Sequence, residues 1–144
     1  PTPADIYATI IHPQIEVKTA EARAILPKKV ELQHAISQWA NLGSLVHALH
    51  TNDYDLLSHS LKDNIVEPFR SKLIPYFDDV KNAAINAGGL GTGISGSGPS
   101  IFTLSKGEKT AKDVEKSIQN VYSKTDIKFN TYVCKINTEG IKII

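Results

Sequence analysis

The chain predicts an α+β domain, an antiparallel sheet of four or five strands with helices packed on one face. Three observations carry that prediction. Short β-rich runs stand at residues 7–11, 100–105, 129–136 and 141–144. Helical patterns fill the intervals without the regular strand–helix alternation of a parallel sheet. Between the last two helical patterns and their strands lies the most biased stretch, Gly88 to Leu104 (GGLGTGISGSGPSIFTL), with six glycines and three serines.

The elements follow in order. Tyr7 to Ile11 (YATII) reads as a buried strand ended by His12-Pro13, since proline removes a ladder donor. Thr19 is the expected N-cap of a short helix, which Pro27 limits to about two turns. Leu32, Ala35, Ile36, Trp39, Leu42, Val46 and Leu49 then recur at helical spacing as one apolar stripe, the face expected to pack on the sheet. His47 and His50 stand one turn apart, but no carboxylate or cysteine pattern completes a metal site around them. Asn52-Asp53 breaks that helix and caps a shorter one carrying Leu56, Leu57 and Leu61. Pro68, after Glu67, suits the first turn of the next helix. Pro75 precedes a helix from Tyr76 to Ala87 with Phe77, Val80, Ala84 and Ile85 inward and Gly88 as its C′ residue. Beyond the glycine stretch, Lys109 to Tyr122 reads as a helix with a core stripe of Ala111, Val114, Ile118 and Val121. A turn at Asn137-Thr138-Glu139-Gly140 leads into the final strand, Ile141 to Ile144.

Composition sets the class. At 144 residues the chain is one domain by length, 41% hydrophobic and 22% charged. Sixteen basic against fifteen acidic residues give a net charge of +1, so electrostatics make no case for nucleic acid or an anionic membrane. No apolar run approaches the ~18 residues of a membrane helix, and no signal peptide opens the chain. The single cysteine, Cys134, is compatible with a reducing cytoplasm. The lack of any methionine suggests a piece of a longer chain.

Several readings compete for the glycine stretch. Gly91, Gly93 and Gly96 match GxGxxG, but a dinucleotide fingerprint follows a strand and opens a helix, and here Pro99, Ile101, Phe102 and Leu104 announce a strand instead. A protein-kinase loop wants valine where Gly98 stands, and a Walker loop wants a lysine that is absent between Lys81 and Lys106. Two readings stay open on the residues alone: an anion-binding nest of backbone N–H groups, or a tight hairpin with no ligand.

The longer string Gly93-Ile94-Ser95-Gly96-Ser97-Gly98-Pro99-Ser100-Ile101-Phe102 resembles the third sequence motif of the GHMP kinases. Together with YATIIHP, TAEARAILP and VEPFRSKLIPYF, the chain is similar over its whole length to the C-terminal part of the homoserine kinase family. That resemblance implies a ferredoxin-like C-terminal domain spanning residues 1–144, the N-terminal ATP-binding domain lying outside the chain. It implies transfer of the ATP γ-phosphoryl to the hydroxyl of L-homoserine, with Mg²⁺, in a cytoplasmic enzyme of threonine biosynthesis, expected to be a homodimer.

It also implies roles for residues. Arg23 and Arg70 match the two family arginines that contact the substrate carboxylate, a task suited to a guanidinium fork that stays charged. If Arg70 faces a cleft, its truncation is expected to leave folding nearly unchanged. Gly93, Ser95, Gly96, Ser97 and Gly98 would brace the nucleotide and substrate site. No residue is assigned a catalytic or metal-binding role, because the PxxxGLGSSAA-like phosphate loop of the family is absent here. Asp53, Asp55, Asp63, Asp78 and Asp79 are scattered without a partner loop. No kinase activity is therefore expected of the chain alone. The alternatives are the same domain of another GHMP kinase, or a non-catalytic ligand-sensing or dimerising module.

Overall fold

The structure, a computed structural model, describes residues 2–140. Four strands form one antiparallel sheet in the order β2-β3-β1-β4: β1 (Ile6–Pro13), β2 (Gly91–Ile94), β3 (Ile101–Lys106) and β4 (Phe129–Lys135). Six α-helices accompany them among the described residues: α1 (Thr19–Ala24), α2 (Leu32–Thr51), α3 (Tyr54–Ser60), α4 (Glu67–Arg70), α5 (Phe77–Asn86) and α6 (Glu108–Tyr122). The α+β class and the three expected strands stand; the run at 141–144 lies outside the described residues. The sequence did not announce β2, which forms inside the glycine stretch. Glycine is poor in strands, yet here it is required by close approach. A Cβ on Gly91 would lie 2.4 Å from Cβ of Leu61.

Alternation along β1 divides the sheet into two faces. Ile11 and its partner Ile101 face α5 and α6, packing with Val80, Ala84, Val114, Ile118 and Tyr122 in the main core. Tyr122 is fully buried, and its hydroxyl donates to the Pro75 carbonyl at 2.7 Å. That contact holds the link into α5, where Tyr76 takes a left-handed backbone (φ 62°). On the same face Thr9, Thr103 and Thr92 form a row across β1, β3 and β2. Thr9 Oγ1 donates to the Ala111 carbonyl at 3.0 Å, and the Thr92 and Thr103 hydroxyls bond each other at 2.9 Å.

The long helix differs from expectation. Rather than joining α5 and α6, α2 packs with α3 against the opposite face, where Ala48 and Leu57 meet Ile6 and Leu104. Its buried side runs through Leu45, Ala48 and Leu49, of which only Leu49 belongs to the predicted stripe. The stripe itself is open: Leu32, Ile36, Trp39, Leu42 and Val46 are 69%, 54%, 64%, 60% and 49% exposed. Periodicity reports that a helix is two-sided; it does not say what covers the apolar side. Ile85 of α5 is likewise exposed, unlike Phe77, Val80 and Ala84.

The breaks between elements mostly hold. Asn52 is left-handed and Asp53 caps α3, its Oδ1 accepting from the Leu56 N–H at 2.9 Å. Gly88 has φ 95°, as a C′ residue needs. Thr19 is not the N-cap of α1 but its first residue; Lys18 holds the cap position without a side-chain bond.

Candidate functional site

On the α2 side of the sheet a cleft of about 250 Å³ opens between α2, the segment leading into α4, α4 itself, and the β2–β3 hairpin. Local sequence places each wall. Asp63 Oδ1 accepts from the N–H groups of Ile65 and Val66 at 2.9 and 2.8 Å, bending the chain into α4. With Pro68 in its first turn, α4 then presents Glu67 and Arg70 to the cleft. Gln38 and Asn41 of α2 tie the opposite wall to the 62–64 segment, through the Asn64 N–H at 2.9 Å and the Lys62 carbonyl at 3.1 Å. Phe102 and Gly93 form the floor.

Arg70 is the centre of this arrangement. Its Nε donates to the Ala22 carbonyl of α1 at 3.2 Å, and its Nη1 to the Gly96 carbonyl at the hairpin tip at 2.9 Å. Two of its five N–H groups are thus engaged, and three have no acceptor among the described residues. This bridge gives Arg70 two structural contacts besides any ligand contact, so some loss of stability on its truncation is now expected. Glu67 is largely buried, its side chain 13% exposed, and Oε1 pairs with Lys81 Nζ of α5.

The glycine stretch proves to be a β-hairpin whose tip spans residues 95–100. The Ser95 N–H donates to the Ser100 carbonyl at 2.8 Å, and the Gly98 N–H to the Ser95 carbonyl at 3.1 Å. Gly96 and Gly98 have φ of 63° and 90°, which is where glycine is needed. The N–H groups of Gly96 and Ser97 are left without an acceptor among the described residues. The hairpin reading and an anion-facing tip are therefore both compatible with one structure.

The structure thus brings Arg70, Gly93 and Gly96 into one cleft. Ser95, Ser97 and Gly98 stand on the tip beside it. Arg23 is exposed on α1, one residue from the carbonyl that holds Arg70, and does not line the cleft. Sequence reasoning passed over Glu67, Gln38 and Asn41. Glu67 was visible only as the start of a helix, and Gln38 and Asn41 as polar positions at i, i+3 beside the apolar stripe. Among the described residues, no group of three His, Cys, Asp or Glu side chains could hold a metal ion. No helix is long and apolar enough to cross a membrane.

Comparison with known proteins gives a consistent result. The family model described as GHMP kinases C terminal matches residues 45–124. The chain is 44% identical over 146 residues to a homoserine kinase of Chlorobium phaeobacteroides strain BS1, covering 100% of this chain and 46% of that protein. It is 42% identical over 144 residues to a homoserine kinase of Chloroherpeton thalassium, covering 99% and 45%. The crystal structure of homoserine kinase from Cytophaga hutchinsonii superimposes with a TM-score of 0.96 at 50% identity, covering 100% of this chain and 46% of that one. Streptococcus pneumoniae phosphomevalonate kinase, in complex with phosphomevalonate and AMPPNP, shares the fold, with a TM-score of 0.69 at 14% identity over 94% of this chain and 41% of that one. The chain spans about half the length of the relatives it matches.

Proposed function

The chain belongs to the GHMP kinases, whose C-terminal domain it carries, and from that premise we propose that it forms the substrate-side half of a homoserine kinase. ATP supplies the γ-phosphoryl group, which passes to the side-chain hydroxyl of L-homoserine to give O-phospho-L-homoserine for threonine synthesis. ATP and Mg²⁺ are held mainly by an N-terminal domain outside residues 1–144. This chain's part is to bind, orient and enclose.

The observation that carries the reading is Arg70, held in the cleft by two carbonyls with three N–H groups left over. A pre-positioned guanidinium matches a carboxylate with paired donors and loses little freedom on binding it. Arg23, exposed on the surface of α1, closes on the same carboxylate once substrate and the second domain are in place. The hairpin tip braces the phosphate region: Gly93 keeps the floor low, Gly96 and Ser97 offer free N–H groups, and Ser95 and Gly98 close the turn. Positioning and charge stabilisation are what phosphoryl transfer asks of a protein, so a half-site of this kind is chemically sufficient for one side of the cleft. The reading includes a cytoplasmic homodimer, and the open apolar stripe of α2 supports burial of that face in the assembled enzyme.

The test is direct. Given ATP, Mg²⁺ and L-homoserine, the isolated 144-residue chain is expected to show no turnover, and a full-length protein carrying it is expected to phosphorylate homoserine. Turnover by the chain alone would place the phosphate site within it. A full-length protein that prefers another small alcohol would replace homoserine as the acceptor.

A further inference from the structure

We propose that Glu67 is a specificity-determining residue that reads the α-ammonium group of the substrate, an inference that rests on the amino-acid kinase reading above. Glu67 and Arg70 are the first and last residues of α4 and both line the cleft. Side chains three apart on a helix are neighbours, with Cβ atoms about 5–6 Å apart. An α-amino acid carries an ammonium and a carboxylate on one carbon. A site that reads both needs opposite charges at about that separation.

The carboxylate of Glu67 is arranged for this. Lys81 occupies Oε1 and fixes the plane of the group, while Oε2 has no donor among the described residues. The space in front of it is open because Gly93 lacks a side chain: a Cβ there would stand 3.7 Å from Oε2. The other carboxylate of the cleft, Asp63, already accepts two backbone N–H groups. The amide and hydroxyl groups around the cleft are neutral, so Glu67 is its strongest remaining acceptor for a cation.

The experiment compares two variants of the full-length kinase by calorimetry, with L-homoserine and with 4-hydroxybutyrate, which keeps the hydroxyl and carboxylate but lacks the amino group. Glu67→Gln retains an oxygen for Lys81 and removes the charge. It should weaken homoserine binding about ten- to a hundredfold and erase the preference over 4-hydroxybutyrate. Lys81→Met removes the ion pair but keeps the carboxylate, and should preserve the preference. Equal loss of homoserine affinity in both variants, or an unchanged preference in Glu67→Gln, would make Glu67 a strut between α4 and α5 and overturn the proposal. If the wild-type protein does not bind homoserine at all, the amino-acid kinase reading fails first and carries this inference with it.

Discussion

Replacing Arg70 by alanine should damage folding and substrate use together, in separable amounts. The bond to Gly96 at 2.9 Å is good and that to Ala22 at 3.2 Å is long. Both acceptors can be rehydrated at a half-buried site, so the loss in stability should be roughly 1–2 kcal/mol. For a domain of this size that lowers the melting temperature by about 3–8 °C. The remaining three N–H groups are the ones available to a carboxylate. Losing a charge-assisted contact there costs roughly 1.5–3 kcal/mol, about a ten- to hundredfold fall in kcat/KM for homoserine, with KM for ATP little changed. Arg70→Lys should recover one carbonyl contact and part of the rate, since an ammonium cannot span both carbonyls and a ligand. Scanning calorimetry on the chain and steady-state kinetics on the full-length enzyme supply the two readings. An unchanged melting temperature would refute the bridge. A lowered one with wild-type homoserine kinetics would reduce Arg70 to a structural tie.

Three further outcomes are expected. Burial, and then the charge of Tyr76, raise the Tyr122 phenol to about 12, and burial followed by the bond to Asp5 raises Tyr54 to about 12. The folded state keeps these protons where the unfolded chain, near 10, releases them. Their stabilisation is therefore whole below pH 10, falls between 10 and 12, and is gone above; for Tyr122 it is on the order of 2–3 kcal/mol, and urea midpoints of Tyr122→Phe should show a shallower alkaline fall. Gly91→Ala would drive a methyl to 2.4 Å from Leu61 Cβ and 2.7 Å from its Cδ1, costing roughly 1–3 kcal/mol, whereas Gly43→Ala, with nothing within 4 Å, should stabilise α2 by about 0.5–1 kcal/mol; chemical denaturation separates the two, and equal effects would count against the packing of β2. Trp39, the single tryptophan and 64% exposed, should be readily quenched by acrylamide in the isolated chain and shielded in the full-length protein; shielding in both would mean that copies of the chain cover the stripe themselves.

What the sequence made legible was whatever is set locally. The α6 stripe of Ala111, Val114 and Ile118 is buried as its spacing says, Asp53 caps where its side chain can reach, and β1, β3 and β4 follow from runs with no helical competitor. The misses share a cause. The stripe of α2 is apolar yet stays outside this chain's own core, so periodicity named the face and not its neighbour. β2 is a strand because it pairs with β3, and its glycines answer to crowding by Leu61 from the segment after α3 and by the cross-strand Phe102, contacts no local propensity records. Of the site, Arg70 and the tip glycines were found through the family resemblance. Glu67 was not, because its role depends on Lys81 and Gly93 converging from α5 and β2.

The threonine row acts as an index mark for the hairpin. A slip of one residue between β2 and β3 would separate the Thr92 and Thr103 hydroxyls and swing a threonine side chain into the place that Leu61 leaves only for glycine. Registration errors are thus rejected on both faces of the sheet at once. The tip must arrive at a constant height above Arg70, whatever its own sequence. Divergence in this loop should accordingly be channelled into which residues stand at 95–100, with their number held constant, so that relatives with different acceptors differ here by substitution and not by insertion.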